Sequence, residues 1–177
     1  VDPMPPAIMA LRAGAEPVWL FAYGSLMWNP EFEYAETRPA FLRGYHRRFC
    51  LYSRDYRGTP ERPGLVLGLD RGGRCTGVAY RIPERVAEQE LRLLWRREML
   101  LGSYAPRWVL VTHGARTLRA LAFVVQRDRS GYAGRLAAEA IVAAIGIRDP
   151  NLMHLDGLIR ARLGEDEPHG PRADLQL

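Results

Sequence analysis

The chain has 177 residues, 47% of them apolar and 25% charged, with a formal charge of +5, a length and balance that favour one domain with a sizeable core. No run reaches the ~20 apolar residues that span a bilayer, and the opening residues lack the basic-then-apolar pattern of a signal peptide. All 25 basic residues are arginine, which excludes Schiff-base, P-loop and Ser-Lys chemistry, and two cysteines make no disulfide framework, as suits a reducing cytoplasm.

In chain order, residues 1–16 read as an N-terminal extension and 17–22 as a buried strand. "FLRGYHRRFCLY" (41–52) is a longer strand of mixed alternation, and "SRDYRGTPERPG" (53–64), with two prolines and two glycines, is a loop. "LVLGLD" and "CTGVAYRI" flank "RGGR", and the glycine pair at 72 and 73 predicts a tight connection between two antiparallel strands. Pro83 opens a helix from about Glu84 to about Leu101. Two strands follow, 107–113 and 118–126, then a helix over 134–146. Asp149-Pro150 reads as an N-cap and first helical position, starting a last helix to about Leu163. The whole predicts a mixed α+β domain over 17–164 with six or so strands, and a polar tail over 165–177. The positive charge favours anionic ligands. The arginines are scattered, and the densest group, 43–49, alternates with apolar residues as a half-exposed strand does, so neither a nucleic-acid nor a membrane partner is expected.

Wound at about 100° per residue, the helix "PERVAEQELRLLWRREMLL" puts Ala87, Leu91, Leu94 and Trp95 on one stripe. Glu98 follows Leu91, Leu94 and Trp95 by seven, four and three positions and so falls on that apolar stripe. Arg92, Arg96 and Arg97 project elsewhere. Glu84 and Glu88 lie at the stripe's edge and Glu90 on its flank, within reach of solvent. A core-facing carboxylate is either half of an internal ion pair or an acid–base group whose pKa is raised by its apolar surroundings.

"FAYGSLMW" (21–28) turns straight out of an apolar run and returns to apolar residues at once. A Tyr-Gly-Ser turn can be only a turn, or its successive N–H groups can converge on an anion. Ser25 lacks a Gly-x-Ser-x-Gly setting and an evident histidine partner. His46, His113, His154 and His169 have no metal-ligand spacing, and neither metal nor cofactor is expected.

The segments Phe21-Ala22-Tyr23-Gly24-Ser25-Leu26-Met27-Trp28-Asn29-Pro30, Gly44-Tyr45-His46-Arg47-Arg48-Phe49-Cys50, Asp55-Tyr56-Arg57-Gly58-Thr59-Pro60, Pro63-Gly64-Leu65-Val66-Leu67-Gly68-Leu69-Asp70 and Arg96-Arg97-Glu98-Met99 with Tyr104 together resemble the ChaC family of glutathione-specific γ-glutamylcyclotransferases. Ala120 to Val125 and Tyr132-Ala133-Gly134 extend the match, which runs in one order from about residue 18 to about 163. The resemblance implies a small closed β-barrel flanked by helices that cleaves glutathione to 5-oxoproline and cysteinylglycine without a cofactor. It places Glu98 at the catalytic glutamate and Phe21, Ala22, Tyr23, Gly24, Ser25, Leu26 and Tyr104 around the substrate. Glutathione is an anion, so an arginine near the pocket is expected to draw it in, Arg57 or Arg48. The chemistry agrees, because a γ-glutamyl amide carries its own nucleophile in the α-amine. Two departures stand out. Ala22 replaces the family's usual glycine, which matters only if that position needs positive φ. "AAEAIVAAIGIRDPNLMHL" is shorter than the family pattern, which bears on the pocket wall and substrate range. The rival readings are a cyclotransferase for other γ-glutamyl compounds and a γ-glutamyl-binding protein without turnover.

Overall fold

In the computed structural model, residues 17–54, 57–99 and 102–145 are described. The N-terminal extension, Asp55-Tyr56, Leu100-Leu101, the helix expected after Asp149-Pro150 with the C-terminal boundary at 164, and the polar tail lie outside the described residues.

Five strands, β1 (Val18–Ala22), β2 (Glu36–Ser53), β3 (Gly64–Ile82), β4 (Tyr104–His113) and β5 (Arg116–Val125), form a closed barrel in the order β1-β3-β2-β4-β5. A helix, α1 (Ala87–Met99), joins β3 to β4, and a short one, α2 (Ala138–Ile145), follows β5. The expected small closed barrel with flanking helices is the observed architecture.

Two hairpins, β2–β3 and β4–β5, supply most of the antiparallel pairing. Between the hairpins, β2 pairs with β4 at Phe41↔Thr112 and Leu42↔Val111. β1 closes the ring, antiparallel to β3 from Val18↔Ile82 to Ala22↔Val78 and parallel to β5 at Trp19↔Ala120 and Leu20↔Leu121. All five β1 residues are buried because both faces are covered. Trp19 and Phe21 enter the barrel interior with Leu42, Leu69, Val111 and Val124, where Ala40, Ala79, Ala120 and Ala122 leave room for their rings. Val18, Leu20 and Ala22 face outward onto Leu91, Leu94 and Trp95 of α1.

The glycine pair is not a turn. β3 runs unbroken from Gly64 to Ile82, so the described residues form five strands rather than the six or so expected. Between Arg43↔Arg74 and Tyr45↔Arg71, one residue of β2, Gly44, stands opposite two of β3, Gly72 and Gly73, all at positive φ. That is a β-bulge, and bulge and turn ask for the same residue type. The true turn of the hairpin is the arginine-containing loop after Ser53.

The helical stripe is as expected for Ala87, Leu91, Leu94 and Trp95, all buried. The first turn, Glu84–Val86, is 3-10, with the α-helix beginning at Ala87. Glu90 departs from expectation: it is buried rather than flanking, and its Oε2 has no hydrogen-bond partner among the described residues.

Candidate functional site

β1 delivers the chain to Tyr23, whose ring enters the barrel interior and whose hydroxyl donates to the Phe123 carbonyl at 2.8 Å. Gly24 then caps a 3-10 turn over Ser25–Met27, closed by Met27 N–H to Gly24 O at 2.9 Å. The first N–H groups of such a turn have no partner within it, and among the described residues no backbone carbonyl accepts from Gly24, Ser25 or Leu26. A Cβ at Gly24 would meet nothing within 4 Å, so this edge of the turn is open to a ligand. Leu26 is buried and anchors the turn, while Ser25 is exposed. Among the described residues only Glu31 is a non-glycine at positive φ, so Ala22 sits in ordinary strand geometry and its departure from glycine is without strain.

Glu98 occupies the last turn of α1, its side chain 16% exposed. The chain leaves the helix through Gly102, at φ 62°, whose N–H donates to Met99 O at 3.1 Å. The Gln126 amide fastens the next stretch by donating to Gly102 O at 3.1 Å and Tyr104 O at 2.7 Å. These bonds fix the direction in which Tyr104 enters β4, and its hydroxyl donates to Leu67 O at 3.0 Å.

The electrostatics tie these groups into one site. Burial raises the Glu98 pKa above the ordinary value, and the neighbouring Arg97 guanidinium draws it partly back. Burial also raises Tyr23 well above the usual phenol range, with Tyr104 and Glu98 adding to the shift. Burial does the same to Tyr104, where the Glu98 charge comes next. Both phenols are therefore neutral at ordinary pH, two hydroxyls beside a carboxylate that takes up protons more readily than an exposed one. Cys50, fully buried next to them, has its thiol pushed up to about 12 by burial first and Asp70 second, which makes it inert.

The structure thus brings together Tyr23, Ser25, Tyr104 and Glu98, with Phe21, Ala22 and Leu26 as the buried frame of the turn. Arg57 or Arg48 was the arginine expected to draw in the anion. Arg48 pairs with buried Asp70 at 3.3 Å and donates to the Gly134 carbonyl, a structural commitment. Arg57 lies in the loop after β2, its N–H donating to Ser53 Oγ at 2.9 Å, and the guanidinium that acts on Glu98 is that of Arg97. Arg97, expected to project off the apolar stripe, is exposed, and it reaches Ser25 Oγ at 3.2 Å and Glu98 Oε1 at 3.5 Å. Its position directly before a stripe carboxylate was the available signal, but a partner 72 residues away is invisible to helical spacing. A separate surface concavity of about 790 Å³, lined by Glu84, Arg85, Glu88, Gln89, Arg92, Leu93 and Arg96, lies along α1 and includes none of the site residues. Among the described residues no group of three or more His, Cys, Asp or Glu side chains could hold a metal ion. No helix among them is long and apolar enough to cross a membrane.

Fold and site together define a small closed-barrel protein that sets one largely buried carboxylate of raised pKa beside an open turn of N–H donors. The chain belongs to the ChaC-like protein family, whose model matches residues 18–169. It is 45% identical over 157 residues to the glutathione-specific gamma-glutamylcyclotransferase of Escherichia coli (strain K12), covering 86% of this chain and 68% of that one. To glutathione-specific gamma-glutamylcyclotransferase 1 of Mus musculus it is 34% identical over 169 residues, covering 85% of this chain and 76% of that protein. The crystal structure of a yeast gamma-glutamyl cyclotransferase specific to glutathione superposes with a TM-score of 0.68 at 23% identity, covering 89% of this chain and 91% of that one, a likeness of fold.

Proposed function

We propose that this protein is a γ-glutamylcyclotransferase that cleaves glutathione to 5-oxoproline and cysteinylglycine. The observation that carries the reading is the largely buried, proton-hungry Glu98 beside the open Tyr23-Gly24-Ser25 turn, in a chain 45% identical to a relative of that name. The substrate's α-amine attacks its own γ-carbonyl, a new C–N bond closes the five-membered ring, and the bond to the cysteinyl nitrogen breaks. No water is consumed and no enzyme nucleophile is needed. Holding amine and carbonyl in contact supplies a large part of the acceleration, on the order of 7–11 kcal/mol in favourable model reactions. Glu98 takes a proton from the α-ammonium group and returns it to the departing amine. The N–H groups of Gly24, Ser25 and Leu26 receive the oxyanion, and the neutral Tyr23 and Tyr104 hydroxyls line the γ-glutamyl subsite. Cys50 and Cys75, both buried and unpaired, suit a reducing cytoplasm, and the reaction calls for no nucleic-acid or membrane partner.

The test is purified protein with glutathione, following cysteinylglycine and 5-oxoproline, alongside γ-glutamyl-alanine and a folded Glu98→Gln variant. Glutathione turnover that falls at least about 100-fold in the variant, the lower range for a general acid–base group, is the expected result. The wild-type rate should fall in acid with an apparent pKa above the ordinary glutamate value of 4.5. Turnover of γ-glutamyl-alanine alone keeps the chemistry and moves the specificity; turnover of neither substrate by folded wild type leaves a γ-glutamyl-binding protein.

A further inference from the structure

Of the charged side chains outside the proposed chemistry, Arg97 makes the most unusual set of contacts. Its Nη2 donates to Ser25 Oγ at 3.2 Å, its Nη1 to Glu31 Oε2 at 2.7 Å, and its Nε lies 3.5 Å from Glu98 Oε1. Glu31 is held in turn by the Asn29 side-chain amide at 2.7 Å. The contrast within the same helix is Arg92, which pairs one turn back with Glu88. Arg97 instead crosses 66 and 72 residues of sequence, from the last turn of α1 to the segment that follows β1.

Stability is a poor explanation for this network. The Arg97 side chain is 33% exposed and that of Glu31 58% exposed, and ion pairs so open to water contribute little. Glu31 also stands at φ 52°, the left-handed region that side chains other than glycine disfavour. Such backbone is retained where the surroundings over-determine it, and it clusters at functional sites. A planar, five-donor guanidinium is the group suited to hold several oxygens at fixed angles.

We infer that Arg97 is a positioning residue, its guanidinium spanning Ser25, Glu31 and Glu98 so as to set the separation between the N–H donors of the turn and the carboxylate of the helix. The inference rests on the reading of that turn and that carboxylate as the reactive pair. It goes beyond it in assigning the distance between them to a third side chain and its Glu31–Asn29 anchor. Among the described residues, the titratable or charged groups coupled to Glu98 are Arg97 on its own helix, Tyr104 on β4 and Tyr23 after β1. Arg97 is the cation among them and opposes the effect of burial.

Two variants separate positioning from charge. Arg97→Gln removes both, so kcat for glutathione should fall about 10- to 100-fold, the scale of a misplacement near 1 Å, and the acid limb of the pH–rate profile should move to higher pH. Arg97→Lys keeps a charge beside Glu98 but cannot span three acceptors, so the acid limb should return toward wild type while kcat stays depressed. The Glu98 carboxyl is also titrated directly by carbon NMR in wild type and both variants, a readout independent of turnover. If folded Arg97→Gln keeps the wild-type kcat, acid limb and Glu98 titration, the inference is overturned while the cyclotransferase reading stands. If wild type itself does not turn over, that reading fails, and the NMR titration alone decides whether Arg97 governs Glu98. Should Arg97→Gln not fold, Arg97→Lys decides: a depressed kcat with an unmoved titration supports positioning, and a wild-type kcat overturns it.

Discussion

A carboxylate with its side chain 16% exposed, beside two buried phenols, is a costly place for a negative charge. The linkage sign follows from its raised pKa. Folded Glu98 holds its proton more tightly than the unfolded chain does, so the protonated form's stabilising contribution is complete below the ordinary value of 4.5 and is lost as pH rises through the folded value. Glu98→Gln, which is never charged, should therefore melt at a higher temperature than wild type at neutral pH. The advantage should vanish in melts run below pH 4.5. An unchanged Tm at neutral pH would mean that the carboxylate is better solvated than its burial indicates. A variant that gains stability as it loses turnover is the usual signature of a group kept for chemistry.

At the scale of the element, β1 and the turn after it depend on how closely β3 approaches. A Cβ at Gly77 would overlap the Ala22 carbonyl and come within 2.8 Å of the Phe21 ring. The obstacle on one side is backbone, which cannot rotate away. Gly77→Ala should cost about 1–3 kcal/mol, as overpacking does, and should lower turnover more than that loss of fold explains, because β1 must shift to accommodate it. Urea denaturation beside kcat on the folded fraction checks both halves. This element also shows where sequence reading succeeds and stops. The apolar stripe of α1 and the buried run of β1 were legible because local periodicity records burial on the scale of one element. The Gly72-Gly73 pair was misread because only Gly44, on the partner strand, distinguishes a bulge from a turn. Glu90 was placed on a wet flank because the wheel carries no record of what packs there. In the site, Glu98 stood out as a charge on an apolar stripe, and the Tyr-Gly-Ser turn by its motif. Arg97 did not, since its partners Ser25 and Glu31 are fixed by the tertiary fold alone.

At the scale of the whole molecule, the segment from Arg127 to Gly134 is tied back to the barrel by backbone bonds to β2 and by one buried carboxylate. Asp70, with no exposed side-chain surface, accepts from Arg127 at 2.7 Å, Tyr132 at 2.9 Å, Arg48 at 3.3 Å and the Arg71 N–H at 2.8 Å. Burial alone would raise its pKa, but the bonds from Arg127, Tyr132 and the Arg71 N–H together outweigh it and hold the group below its ordinary 3.8. The sign is opposite to that of Glu98: the stabilising contribution is present above 3.8 and is lost as pH falls through the lower folded value. Asp70→Asn should cost about 3–5 kcal/mol at neutral pH, the range for breaking a buried pair, with the gap to wild type closing in strong acid. Chemical denaturation across that range measures it.

The closure of the barrel by β1 has a temporal consequence. The β2–β3 and β4–β5 hairpins join strands that are neighbours in sequence, whereas β1 must find β3 and, in parallel, β5. The bond from Tyr23 to Phe123 spans 100 residues. Contacts so distant in sequence are entropically slow to form and are not rewarded until the loop between them has closed. The Tyr-Gly-Ser turn hangs from the end of that last strand, while Glu98 rides on the helix that β1 must cover. A refolding chain can therefore hold both hairpins and its helix and still lack the meeting of turn and carboxylate, which forms only when β1 docks.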